Sequence, residues 1–424
     1  MVKVGLLLND SGFENKKLDN PWEGNPGIGG TQYCFIMLAT ALAEMSNYEV
    51  ICFHFDKSNH LISLVESVIV KDDIDAIKKA KKLNVDVFLM KSPTDEDVFN
   101  EIDYQKLPTI SWAHNYILGK SLQLHKRSKY IKRVVFVGKQ EYDRYIDDDI
   151  INKSDYIFNM FKSNNEHQRK ETVSNIVTYT GSLVKQKGFH ILAEVWKDIL
   201  KKVPDAQLYV IGSGSLYNSN EKLGSYGIAA ESYEKMFMPF LVDEHGQILS
   251  SVHFMGKMGA EKSKVYEMTK VGVMNPSART ETFGLSAVEM NEFGIPVCTE
   301  GENGLPDTVV NRHTGLLSHG KRALENNIVK LLKDTKYNLR LGNQGKEFIK
   351  KFEPGVIAQE WIKEIEDVYL DKKVSYKKPE AYYGNNAKWL RIVNRFLRNE
   401  LHLTFLKSVV EIEIMVRSFL IRRR

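Results

Sequence analysis

The chain has 424 residues and an apolar fraction of 43%, so the composition predicts two well-packed domains and excludes a mainly disordered protein. Its three cysteines, Cys34, Cys52 and Cys298, lack C-x-x-C spacing, which excludes a disulfide framework or a thiolate metal site and indicates a reducing, cytoplasmic compartment. The net charge of +5 is unevenly spread, because residues 372–424 carry 13 Lys and Arg against four Glu.

The sequence pattern excludes two further classes. No run of 18 apolar residues predicts a membrane-spanning helix, and the short apolar run 2–8 is interpreted as a first buried strand rather than a signal peptide. Nucleic-acid binding is not expected, because only the tail is basic and no recognition motif accompanies it.

Short apolar runs alternate with helical patterns along most of the chain, which predicts parallel strands joined by crossover helices. The pattern stops at the polar segment 162–174 and then restarts, so it predicts two doubly wound domains with ligand sites at the carboxyl ends of the strands. The predicted strands are 2–8, 50–55, 85–89, 109–112 and 134–137 in the first half, and 175–180, 207–211, 252–255, 271–274 and 296–299 in the second; helices are predicted at 31–45 and 76–83.

Two segments combine glycines or a histidine with the start or end of a predicted element. Gly29 and Gly30 open the helix 31–45, where free backbone N–H groups and the absence of side chains let a ligand approach. His114 follows the strand 109–112 at its carboxyl end. Both could instead be structural: the first as a tight turn, the second as a satisfied core histidine.

The segment 279–297 places Glu281 and Glu289 eight positions apart at a strand-to-helix junction, with the helical pattern starting near Gly284. A helix start attracts phosphate, and eight residues of helix span about 12 Å, comparable to the reach of a sugar diphosphate. One carboxylate could then contact the sugar and the other the ribose. Alternatively, Glu281 complements the helix dipole and Glu289 is a solvated helix residue.

These motifs, in this order, resemble the GT-B retaining glycosyltransferases, specifically the large family 4-like group known as glycosyl transferases group 1. The resemblance covers most of residues 1–371. Its segments are the glycine loop 27–31, the E-x7-E segment 279–297, 179–190 (resembling G-R-L-x-x-x-K-G), 204–214 (P-x-A-x-L-x-V-x-G-x-G), 252–258 (V-x-F-x-G), the loop 301–307 and the turn 313–317.

The resemblance implies an α/β GT-B architecture of two Rossmann-like domains facing a cleft. The implied N-terminal acceptor domain is 1–165, completed by the crossover segment 352–371, and the donor domain is 166–351. Residues 372–424 form a C-terminal amphipathic helical tail.

The resemblance also implies roles for individual residues. Glu281 and His114 would act at the transferred sugar, Glu289 would bind the ribose, and Lys187 would neutralise donor phosphate. The sequence departs from the family at Ser182, where an arginine is usual, so a nearby cation such as Lys185 or Arg279 must compensate or donor affinity is weak. The remaining implied donor-binding residues are Gly29, Gly30, Gly212, Phe283, Gly284 and Leu285.

The implied activity is transfer of a hexosyl residue from a nucleotide sugar, UDP-linked in preference to GDP-linked, to a glycan or lipid-linked acceptor in cell-surface polysaccharide synthesis. No cofactor or metal is expected, and a metal role for the acidic run 147–149 is disfavoured. Two alternatives stay open: a non-catalytic partner subunit, motivated by Ser182, and a UDP-sugar epimerase of the same fold.

A helical projection of the tail from residue 386 places basic and apolar residues on opposite faces. Such a helix suits an anionic membrane surface, which would make the protein peripheral at the inner face of the cytoplasmic membrane. Packing on the protein itself or on a second copy in a homo-oligomer is the alternative. The basic face comprises Lys388, Arg391, Arg395 and Arg398, and the apolar face Trp389, Val393, Phe396 and Leu397.

Overall fold

The computed structural model describes residues 1–13, 17–26, 28–45, 47–56, 60–61, 63–164, 174–214, 222–380 and 382–422. The chain divides into two compact units, Met1–Lys162 with Phe352–Arg424, and Ser163–Lys351. No helix of the described ranges is both long and apolar enough to cross a membrane.

The first unit contains a seven-stranded parallel sheet in the order β5-β3-β1-β6-β7-β8-β9. Strand β1 lies between β3 and β6, and the chain order reverses on either side of it, so this is the topological switch point of the sheet. The strands are β1 (Val2–Leu8), β3 (Tyr48–His54), β5 (Glu66–Ile69), β6 (Val87–Lys91), β7 (Thr109–Ala113), β8 (Ile131–Phe136) and β9 (Ser154–Tyr156), and a separate pair is formed by β2 (Lys17–Leu18) and β4 (His60–Leu61); the helices are α1 (Gly30–Ala43), α2 (Asp73–Lys82), α3 (Glu96–Gln105), α4 (Gly119–Arg127) and α5 (Lys139–Asp143).

The second unit contains a six-stranded parallel sheet in the order β12-β11-β10-β13-β14-β15, with its switch point between β10 and β13. The strands are β10 (Ile176–Thr180), β11 (Gln207–Ile211), β12 (Val252–Gly256), β13 (Val271–Val273), β14 (Val297–Glu300) and β15 (Gly315–Ser318); the helices are α6 (Phe189–Lys202), α7 (Glu231–Leu241), α8 (Lys262–Met268), α9 (Leu285–Glu292), α10 (Leu305–Thr308), α11 (Lys321–Lys333) and α12 (Thr335–Phe348).

The chain then returns to the first unit through three more helices. Helix α13 (Pro354–Tyr369) packs on α1, and its Trp361 is fully buried against Trp112 of β7. Helices α14 (Lys388–Asn399) and α15 (Val409–Arg422) follow in the tail. The predicted tail helix therefore exists, and it lies within the first unit.

The central strands are buried along most of their length, which is expected when helices cover both faces of a parallel sheet. Their burial on both faces explains why these strands appear in the sequence as short apolar runs. Strand β1 has the predicted bounds. One prediction is wrong in part: residues 313–317 were expected to form a turn, but the turn ends at Thr314 and Gly315–Ser318 is strand β15, paired in parallel with β14.

Candidate functional site

The candidate site of the second unit lies at its switch point, where the loops after β10 and β13 meet. Gly188 ends a single 3-10 turn at Lys185–Lys187 and has φ +71°, which L side chains rarely adopt. A Cβ atom at this position would lie 2.6 Å from the backbone nitrogen of Ser277. Only glycine therefore lets these two loops approach so closely.

The close approach joins two of the residues singled out from the sequence. The Lys187 Nζ lies 2.8 Å from the Glu281 Oε2. The same carboxylate oxygen accepts a hydrogen bond from Asn275 Nδ2 at 3.1 Å. Glu281 is buried, so this cation and this amide hold its carboxylate in a defined position. Asn275 is a functional candidate that the sequence reasoning missed.

The backbone that carries Glu281 is unusual. Asn275, Ala278 and Thr280 all have positive φ values, of 36°, 54° and 58°. Non-glycine residues rarely adopt this region, and such conformations cluster at functional sites because the surrounding structure must hold them. The Asn275 side chain helps to hold this loop conformation, because its amide donates to the Arg279 carbonyl as well as to the Glu281 carboxylate.

Glu289 lies on helix α9, which begins at Leu285, one residue after the predicted start near Gly284. Its Oε1 is 2.8 Å from the Nζ of Lys262 on α8, a partner that could not be identified from sequence spacing. Phe283 is buried, and the Leu285 N–H donates to the Phe283 carbonyl. A side chain at Gly284 would meet Thr308 Oγ1 at 2.8 Å, so glycine is needed there for packing.

A pocket of about 500 Å³ opens at the same edge of the second unit. Lys185 and Arg279 both line it, and both side chains are solvent-exposed. His190, in the first turn of α6, also lines the pocket. Its pKa is lowered by burial and by the positive charges of Lys185 and Arg279, against the opposite effect of Glu194. The pocket thus has a cationic wall; its other lining residues are Ile191, Pro276, Ser277, Glu300, Glu302, Asn303, His319 and Gly320.

Ser182 lies two residues after the end of β10 and is buried. Its short hydroxyl places no cation at this point of the loop, whereas Lys185 and Arg279 place two in the pocket described above. Lys185 and Arg279 therefore stay the candidate cations for the role that an arginine has in the family.

Gly212 has a structural role that the sequence did not reveal. Its φ is +144°, and a Cβ atom would lie 1.9 Å from the carbonyl oxygen of Gly181. Its N–H donates to the Gly256 carbonyl, so that donor is already used inside the sheet. The packing of β11 against the β10 loop therefore explains the glycine.

In the first unit, Gly29 and Gly30 lie exposed at the start of helix α1, with Gly29 in the N-cap position. No side chain of the described residues caps this helix end. Asn25 fixes the loop before it, accepting from the Ile28 N–H and donating to the Ile28 carbonyl. An uncapped helix start with two glycines suits an anionic ligand.

His114 follows β7 and lies among aromatic rings, with ring centroids 4.7 Å from Trp112 and 6.0 Å from Phe35 of α1. Burial, with a smaller contribution from the charge of Lys91, lowers the pKa of its imidazole to about 3. His114 is therefore neutral at physiological pH. A neutral imidazole can donate and accept one hydrogen bond each, which suits contact with hydroxyl groups.

The acidic run 147–149 binds the tail. Asp147 Oδ2 accepts from Asn394 Nδ2 and from the Val409 N–H, at 2.8 and 2.7 Å. Asp148 accepts from Ser408 at 2.6 Å, and Asp149 lies 2.9 Å from Arg398.

Two parallel sheets, each with candidate residues at its switch point, define the GT-B class of folds, as the sequence predicted. Residues 161–348 match the family model described as Glycosyl transferases group 1. The predicted resemblance to glycosyl transferases group 1 is therefore confirmed for most of the second unit.

Solved structures share the fold over most of the chain. Anabaena HepE, solved in complex with UDP and glucose, is 15% identical and superposes with a TM-score of 0.60, covering 87% of this chain and 100% of HepE. A glycosyltransferase from Rickettsia africae is 12% identical with a TM-score of 0.64, covering 87% of this chain and 98% of that structure.

Curated relatives align over shorter stretches. An uncharacterized glycosyltransferase of Methanocaldococcus jannaschii is 26% identical over 259 residues, which are 60% of this chain and 66% of that protein. The capsular polysaccharide biosynthesis glycosyltransferase CapM of Staphylococcus aureus is 29% identical over 188 residues, 44% of each chain. The matched part thus spans less than two thirds of either relative.

Proposed function

We propose that the protein is a retaining glycosyltransferase that moves a hexosyl residue from a nucleotide sugar to a glycan or lipid-linked acceptor. One observation carries this proposal: the Lys187–Glu281 pair lies at the switch point of the second unit, just before the helix that carries Glu289. The family match supports the transferase activity. The HepE structure was solved in complex with UDP, which favours UDP as the nucleotide. CapM is named as a capsular polysaccharide biosynthesis glycosyltransferase, which favours polysaccharide synthesis.

The proposed roles follow from charge and position. Glu281 accepts hydrogen bonds from the donor hexose, and Glu289 accepts them from the ribose. Lys187 and the backbone amides near Phe283, Gly284 and Leu285 stabilise the negative charge that develops on the departing diphosphate, which is the main catalytic contribution. Because the Leu285 N–H donates to the Phe283 carbonyl in this structure, its contribution requires that turn to open.

The pairing of Lys187 with Glu281 has a consequence for donor binding. A diphosphate that approaches the Lys187 ammonium competes with the Glu281 carboxylate for it. The exposed cations Lys185 and Arg279 form no ion pair with a carboxylate of the described residues. They therefore bind the phosphates first and take the role of the arginine that Ser182 replaces.

In this proposal the first unit supplies the acceptor side and also contributes to donor binding. Gly29 and Gly30 present N–H groups of α1 to the donor diphosphate, and neutral His114 orients hydroxyls of the transferred sugar. The cations already present stabilise the leaving group without a metal ion. A cytoplasmic location at the inner face of the membrane, with attachment through the tail, fits a lipid-linked acceptor.

The proposal is tested by thermal shift with UDP-, GDP- and ADP-sugars, because a ligand that binds the folded state raises its melting temperature. We expect stabilisation by one nucleotide class, reduced in both Lys187→Ala and Glu289→Ala. Lys336→Ala, which removes an exposed cation on α12, is the control and should behave as wild type. The stabilising donor is then assayed for transfer to acceptors.

A non-catalytic partner subunit is the second candidate, and Ser182 at the usual arginine position favours it. It would be supported if none of the nucleotide sugars shifts the melting temperature. The third candidate, an epimerase, is separated by product analysis: conversion of the UDP-sugar to its epimer without any acceptor would support epimerase activity instead of transfer.

A further inference from the structure

The tail helix α14 turns its basic face toward the protein. Lys388 and Arg391 are fully buried. The Lys388 Nζ lies 2.7 Å from Asp143 Oδ2, and the Arg391 guanidinium lies 3.6 Å from Asp147 and also pairs with Glu413 of α15. Arg395 donates to the Ile146 carbonyl, and Arg398 pairs with Asp149. These basic residues therefore hold the helix on the first unit and are not presented to a membrane.

The opposite face of the same helix is apolar and points to solvent. Trp389 is 59% exposed, Val393 48% and Phe396 54%. These positions are spaced i, i+4 and i+7, so they form one stripe along the helix. We call this stripe, with the neighbouring exposed residues Leu390, Leu401 and Phe405, the tail apolar face.

Helix α15 adds a second exposed stripe with a cationic border. Ile412, Met415 and Val416 are exposed at i, i+3 and i+4. The Lys407 Nζ lies 3.5 Å from the Met415 sulfur, and Arg417 is exposed on the same helix. Neither Lys407 nor Arg417 has a carboxylate partner among the described residues, and three more arginines follow at 422–424 in the sequence.

The acidic residues of the tail do not balance this positive border. Of its four glutamates, Glu411 pairs with Lys126 at 2.9 Å and Glu413 pairs with Arg144 and Arg391. Glu380 precedes α14, and the exposed Glu400, beside Leu401, is the acidic residue that adjoins the tail apolar face. What remains around the exposed apolar residues is therefore mainly positive. A symmetric contact between two copies would bring two positive borders together, whereas an anionic lipid surface neutralises one.

We infer that the tail apolar face inserts into the interfacial region of an anionic lipid bilayer, with Trp389 and Phe396 as the aromatic anchors and Lys407 and Arg417 contacting lipid phosphates. Aromatic side chains favour the headgroup level, and a helix lying in that plane buries its apolar face there. The buried ion pairs of the opposite face hold α14 on the first unit, so the tail apolar face is already exposed before the protein binds a membrane.

This inference deepens the proposed function, since it names the surface at which a lipid-linked acceptor would be met. It is nevertheless measured without any nucleotide sugar. Vesicle binding with no donor binding would leave the inference standing and reject the transferase proposal. Donor binding with no vesicle binding would do the reverse.

The test is flotation of the full-length protein with vesicles of phosphatidylcholine, with and without phosphatidylglycerol. We expect binding to the anionic vesicles that falls by about tenfold or more in Trp389→Ser/Phe396→Ser, because two aromatic anchors are lost. Lys407→Glu/Arg417→Glu should weaken binding to anionic vesicles selectively. Tyr104→Ser/Leu339→Ser, which removes exposed apolar side chains of α3 and α12, is the matched control and should bind as wild type.

All of these side chains are exposed, so the variants should keep the wild-type melting temperature, which confirms that they fold. A second readout uses the indole itself: the emission of wild type should shift to shorter wavelength on anionic vesicles, and Trp389→Phe should lose that shift while still binding. The inference is overturned if the serine variant floats like wild type, or if wild type does not bind vesicles. A wild-type dimer that dissociates in the serine variant would identify a second copy as the occupant instead.

Discussion

At the scale of single residues, the candidate donor site combines a buried carboxylate held in place with exposed cations. Glu281 is oriented by Lys187 and Asn275, while Lys185 and Arg279 reach into the adjacent pocket from two different loops. The contrast matters because a buried carboxylate with fixed partners can hold a ligand in a defined orientation, whereas a long, exposed cation can reach and bind an anionic ligand. This division explains how the site could function with a serine at position 182.

The compensation for Ser182 is tested with Lys185→Ala/Arg279→Ala. We expect binding of the active nucleotide sugar to weaken by about tenfold to a hundredfold, since hydrogen bonds to charged groups contribute roughly 1.5–3 kcal/mol. Affinity is measured by calorimetry, with Lys336→Ala as the control. An NMR titration of His190 gives an independent readout: its pKa should rise toward the ordinary value when both neighbouring cations are removed. Unchanged affinity with a shifted His190 pKa would assign the cations to the pocket but not to the donor.

At the scale of helices and strands, the tail is held by charges that differ sharply in burial. Lys388 and Asp143 are both fully buried, whereas the Asp149 side chain that pairs with Arg398 is 67% exposed. Removing one partner of a buried pair leaves an uncompensated charge, while exposed pairs contribute little because water screens them. The same helix therefore offers a strong and a weak contact for comparison.

We expect Lys388→Met to lower the free energy of unfolding by about 1.5–3 kcal/mol, because the buried Asp143 Oδ2 loses its charged partner while Oδ1 keeps its ion pair with Lys139 at 2.9 Å. Asp149→Asn, the control, should cost less than about 1 kcal/mol. Both are measured by urea unfolding followed by circular dichroism. Equal, small effects from the two substitutions would mean that the tail is not anchored by its buried ion pairs.

The sequence predicted the elements whose signal is local. The central strands appeared as apolar runs because both of their faces are buried, and β1 was placed to the residue. Edge strands were found less reliably: β12 was predicted, but β5, with two exposed positions, lacks an apolar run, and β15 resembled a turn. The orientation of the tail helix could not be predicted from the sequence, because Asp143 and Asp147 lie more than 240 positions from their tail partners Lys388 and Arg391.

The candidate site shows the same limit. The candidate glycines and carboxylates could be predicted because their spacing along the chain is visible in the local sequence. The partners that orient the carboxylates, Asn275 for Glu281 and Lys262 for Glu289, could not be found, because Lys262 is 27 positions from Glu289 and nothing marks Asn275 as facing Glu281 until the loop is folded. Chemistry that depends on tertiary contact therefore needed the structure.

At the scale of the whole molecule, two buried histidines link the stability of the first unit to pH. Burial lowers the pKa of His114 to about 3 and that of His125 to about 4. The His125 imidazole is fully enclosed: one ring nitrogen is 2.7 Å from the Ser121 carbonyl and the other is 2.9 Å from the Ser111 hydroxyl. This geometry accommodates the neutral ring, with Nδ1 donating and Nε2 accepting.

Because the unfolded chain protonates its histidines near pH 6.5 and the folded chain does not, the stability contributed by neutral His125 is complete above about pH 6.5 and is lost as pH falls toward 4. A shift of this size corresponds to about 3 kcal/mol by pH 4. We expect His125→Gln to be less stable than wild type at pH 7.5 but to lose less stability between pH 6.5 and 4, measured by urea unfolding across that range. Subtracting the loss of stability of one protein from that of the other cancels the contribution of the other titrating groups, which both share. Parallel curves for the two proteins would show that His125 is protonated in the folded state, against the enclosure that the structure gives it.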